Sequence, residues 1–202
     1  MAGRLISFVI AAAWLAVAAS EAPADTSCSQ LSGAKPERLV EYLRGDRSAL
    51  APDCVVEAIA GLGASRHVAA APVLASYLDF ERPGFQRREG AVAVVRIPWV
   101  GDQFPAAEAL FLLGKPASES LVGVIADDAS SDLLRANALV VLTAVYREDI
   151  ASAVERLRDA ASSGADPAAA GRLRDFAARV ANTCSVETRP RCLEALYGRS
   201  RK

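Results

Sequence analysis

The chain has 202 residues, 52% of them hydrophobic and 6% aromatic, with a formal net charge of −1. That length makes one domain, or one short array, with enough chain to bury a core. A charge near zero supplies no broad basic field, so neither nucleic acid nor an anionic lipid surface is an expected partner.

The chain opens like an export signal. Arg4 is a short positive start, Leu5 to Val17 is an uncharged apolar run, and small residues follow, with Ala18-Ala19-Ser20 or Ala16-Val17-Ala18 as cleavage sites. The run is short of the roughly 20 apolar residues a membrane span needs. Asp25-Thr26-Ser27 before Cys28 lacks the apolar and small residues that precede a lipidated cysteine. Residues 1–20 are therefore expected to be a cleaved signal peptide. The mature chain would have no membrane span and would be periplasmic or secreted.

The remaining chain holds Cys28, Cys54, Cys184 and Cys192. An even count in an exported protein implies disulfides, and four cysteines allow three pairings. Cys28–Cys54 with Cys184–Cys192 is the favoured set, because each pair is local in sequence. The rival, a zinc site of four thiolates, has no Cys-x-x-Cys step and would draw on both ends of the chain.

Residues 21–35 are polar and contain Pro and Ser, which predicts a flexible entry segment. Pro36 suits a first helical position, and Leu39, Val40 and Leu43 then share one face up to Gly45. This is the predicted N-terminal capping helix. Pro52 and Asp53 open the next helix, with Val55, Val56, Ile59 and Leu62 at helical spacing and Gly61 and Gly63 near its end. A turn at Ala64-Ser65-Arg66 leads to a second helix carrying Val68, Val73, Leu74, Tyr77 and Leu78, with Pro72 at a kink or at its true start.

The same phrase then returns. Val55, Ala58, Ile59, Leu62 and Gly63 are matched by Ala106, Ala109, Leu110, Leu113 and Gly114, and more loosely by Arg135, Ala138, Leu139, Leu142 and Thr143. Each copy is followed by a second apolar helix: Leu121, Val122 and Ile125 in one, and Ile150, Val154 and Leu157 in the other. A weaker pair closes the chain, from Pro167 (Leu173, Phe176, Ala177, Val180) and from Pro190 (Leu193, Leu196, Tyr197). Self-similar helix pairs are the mark of an α-solenoid. The run Ala58 to Asp79, AIAGLGASRHVAAAPVLASYLD, resembles the HEAT-like repeats first described in phycobilin lyases, down to the Leu-Gly step and the Pro-Xaa-Leu that follows. The resemblance implies an all-α solenoid of about four HEAT-like hairpins over residues 36–202.

Copies of the phrase start 51 residues apart and then 29 apart, at Val55, Ala106 and Arg135. The excess falls in Phe80–Gln103, far longer than the usual helix connection of roughly two to eight residues. Its run Ala91 to Ile97 is β-prone, so an irregular or β-hairpin insert (80–103) is expected. Arg87, Arg88, Arg96 and Trp99 make this insert basic and aromatic-tipped, and they are the candidate partner-binding residues.

Catalytic constellations are sparse. His67 is the lone histidine, so a multi-histidine metal site is excluded. The HEAT-like enzyme that hydroxylates deoxyhypusine uses His-Glu pairs, and none occurs here. Asp127-Asp128 and Glu148-Asp149 fit caps and turns, Gly61-Leu62-Gly63 ends a helix, and the arginines at 156, 158, 172, 174 and 179 fit wet helix faces. No phosphate loop or nucleophile elbow is present. The expectation is a non-catalytic binding or scaffold module of the cell envelope, with a protein partner and neither cofactor nor metal. The alternatives are chromophore handling of the bilin-lyase kind, which the resemblance brings in, or self-association as a structural envelope protein.

Overall fold

The computed structural model describes residues 28–85, 99–147, 149–164 and 166–186, together with 192, 195 and 196. Their regular structure is helical throughout. A 3-10 turn, Cys28–Gln30, precedes α1 (Pro36–Leu43) and α2 (Pro52–Ala64). A second 3-10 turn, Val68–Ala70, leads into α3 (Ala71–Ala75). Then come α4 (Val100–Gln103), α5 (Pro105–Leu113), a 3-10 turn Lys115–Ala117, and α6 (Ser118–Ala126). The chain continues through α7 (Asp132–Val145), α8 (Ile150–Ser163) and α9 (Pro167–Val186). The signal segment, the β-prone run 91–97, and Pro190, Leu193 and Tyr197 of the expected last helix lie outside the described residues.

Local chemistry fixes the helix starts. Pro36, Pro52, Pro105 and Pro167 are each the first residue of a helix, where a missing N–H costs nothing. Side chains cap α7 and α8. Ser131 accepts from the Leu134 N–H at 3.1 Å, and Asp149 from Ser152 at 3.3 Å. Asp166 accepts from Ala168 and Ala169 at 3.0 and 3.2 Å, at the start of α9.

The repeated phrase faces the core. Val55, Ala58, Ile59 and Leu62, then Ala106, Ala109, Leu110 and Leu113, then Ala138, Leu139 and Leu142, are all buried. Helix α5 lies centrally against α2, α3, α4 and α7, while α3 also touches α6. The neighbours differ from simple hairpins, however. The chain turns by 115° between α5 and Lys115–Ala126, and α6 packs chiefly on α7, as α8 does on α9. Gly114, at φ 71°, and the 3-10 turn after it swing the chain aside rather than straight back.

Two polar links hold distant elements. Arg47 donates to Asp79 at 2.7 Å and lies 4.7 Å over the Tyr77 ring, whose hydroxyl donates to the Leu43 carbonyl at 2.8 Å. The fully buried Asn137 of α7 donates to the Leu78 carbonyl at 2.7 Å, just beyond α3.

Both favoured disulfides are present, Cys28–Cys54 with Cα atoms 5.1 Å apart and Cys184–Cys192 with 4.9 Å. The first ties the Cys28–Gln30 turn to α2. Disulfides form and persist in oxidising compartments outside the cytoplasm.

The expected insert 80–103 is described only at its ends, and these are joined. The Arg82 N–H donates to the Gln103 carbonyl at 2.8 Å, and the Gln103 amide to Glu81 at 2.6 Å. Its last four residues form α4, with Val100 and Gly101 buried, so that end is core helix.

Candidate functional site

Among the residues expected to bind a partner, Arg87, Arg88 and Arg96 lie outside the described residues. Trp99 is described, and it stands just ahead of α4. Its indole N–H donates to Glu108 at 2.5 Å, and its ring meets Phe111 edge-on at 5.3 Å. Its backbone N–H donates to the Asp102 carboxylate at 3.2 Å. Gly101 makes this possible, since a Cβ there would run into the indole nitrogen and the Glu108 carboxylate. Arg147 lies 5.6 Å over the Phe111 ring. Trp99 is thus half-buried and held on α5, with packing work of its own.

The carboxylate pairs sit at turns. Asp127 accepts from the Ala129 N–H and the Ser130 hydroxyl at 3.2 and 2.9 Å, and these bonds, that of Ser130 foremost, hold its carboxyl below the usual range. Asp128 pairs with Arg172 at 2.6 Å. Asp149 caps α8, and its hydrogen bonds, led by that of the Ser152 hydroxyl, lower its carboxyl likewise. Glu148 lies outside the described residues. His67 precedes the Val68–Ala70 turn, with no capping bond from its side chain.

Arg172 departs from the wet face expected for it. It reaches from α9 to donate to the Ala126 carbonyl at 2.6 Å, at the negative end of α6.

The surface that the chain pattern did not reveal is a cleft between α3 and α6. It encloses about 700 Å³ and is open to solvent. Ala71 and Ala75 make its floor on one side, and Ser120, Gly123 and Val124 on the other. Val68 stands at its edge, 47% exposed. The pattern assigns Val68 to the second helix's apolar stripe, but residues 68–70 form a 3-10 turn. Three residues per turn takes Val68 out of phase with Leu74 and Leu78, which are fully buried. A signal for Gly123 did exist: Leu121, Val122 and Ile125 define the core face of α6, and position 123 falls off it. Space around Gly123 is empty, with no atom within 4 Å of where a Cβ would be.

The cleft carries Glu119 at the start of α6 and Asp127 at its end, and no Lys or Arg lines it. A smaller recess of about 250 Å³ beside Cys28–Cys54 has one charge of each sign, Arg38 and Glu41. Among the described residues, no group of three or more His, Cys, Asp or Glu could hold a metal ion, and no single helix is long and apolar enough to cross a membrane. The cleft therefore offers shape, apolar contact and negative charge. No family model, curated protein or solved structure matches the chain.

Proposed function

We propose that this protein is a non-catalytic scaffold of a bacterial cell envelope, periplasmic or secreted, that holds a protein partner on the α3–α6 face. The observation that carries the reading is the open cleft of about 700 Å³ with Val68 exposed at its edge. Val68 and Leu112 are the large apolar side chains left exposed among the described residues, and Val68 is the one on this cleft. The two disulfides support an oxidising location. The solenoid reading of HEAT-like type draws support from the row α2, α5, α7 and from the contact of α3 with α6. In such arrays the second helices make a preformed wall for binding.

A photo-cross-linking residue placed at Val68, with Glu155 on α8 as the control position, tests this in envelope preparations. A protein adduct of fixed mass at position 68 and none at 155 is the expected result. Equal labelling at both positions, or none, overturns it. A bound tetrapyrrole with shifted absorption would support chromophore handling instead, and an adduct of twice the chain mass would support self-association.

A further inference from the structure

We draw no further inference here: the strongest candidate, the open cleft between α3 and α6 with Val68 exposed at its edge, belongs to the binding reading already given, and nothing in the structure shows what covers it.

Discussion

A Cβ on Gly63 would stand 2.9 Å from the Cα of Ala109, so α2 and α5 meet there backbone to backbone. The matching glycine of the next copy, Gly114, does something else. It lies beyond the end of α5 at φ 71°, with open space where a Cβ would be. One serves close approach and the other chain reversal, although the Leu-Gly step is the same in both.

Gly63→Ala should therefore destabilise by about 1–3 kcal/mol, because α2 must move off α5. Gly123→Ala, also inside a helix but facing open space, should stabilise by about 0.5–1 kcal/mol through helix propensity. Urea unfolding of the two variants checks the opposite signs.

Trp99→Phe keeps an edge-on ring against Phe111 and leaves the Glu108 carboxylate without its indole donor. Loss of a hydrogen bond to a charged group predicts about 2 kcal/mol of destabilisation. A Trp99 that served a partner alone would leave the unfolding midpoint where it is. Denaturant titration decides between these roles.

Arg172→Leu should cost about 2 kcal/mol, most of it from the bond to the Ala126 carbonyl. The ion pair itself contributes less, since the Asp128 side chain is 85% exposed. Asp128→Asn should accordingly change stability by under about 0.5 kcal/mol, and thermal melts of both variants test the split.

The two disulfides close loops of different length, with sequence separations of 26 and 8. Chain entropy predicts about 3.5 kcal/mol lost with Cys28 and Cys54 both replaced by Ser, and about 2.5 kcal/mol for Cys184 and Cys192. Equal losses from the two double variants would contradict that ordering.

Asp46, Asp127 and Asp149 are each held below the ordinary carboxylate range, chiefly by hydroxyls of Ser48, Ser130 and Ser152. A lowered folded pKa adds stability above the unfolded value, which is lost as pH falls through the folded one. Melting temperature should be insensitive to these groups above about pH 5 and drop below about pH 4. Asp149→Asn, which can still cap α8, should make that acid drop shallower.

The helix starts were legible in the chain because proline and capping side chains act within one turn. Pro36, Pro52 and Pro167 each mark a start that the fold uses. The buried stripe was legible for the same reason, since helical period needs no knowledge of the neighbour. Cysteine locality was enough to select the pairing that the fold adopts. The chain pattern reads Trp99 as the aromatic tip of a partner-binding insert, and only contact with Phe111 and Glu108 gives it a packing role.

Sequence by itself determined an all-α fold class, with an apolar face on each described helix and two local disulfides. Only the tertiary structure decided which helices became neighbours. The 115° turn after Gly114 sends α6 toward α7. The 3-10 phase at residues 68–70 turns Val68 outward, and packing depth gives Gly63 and Gly114 different work. Periodicity specifies what each helix must bury. The direction of each axis comes from a few connecting dihedrals and from what the other helices leave uncovered, and the α3–α6 cleft is the product of both.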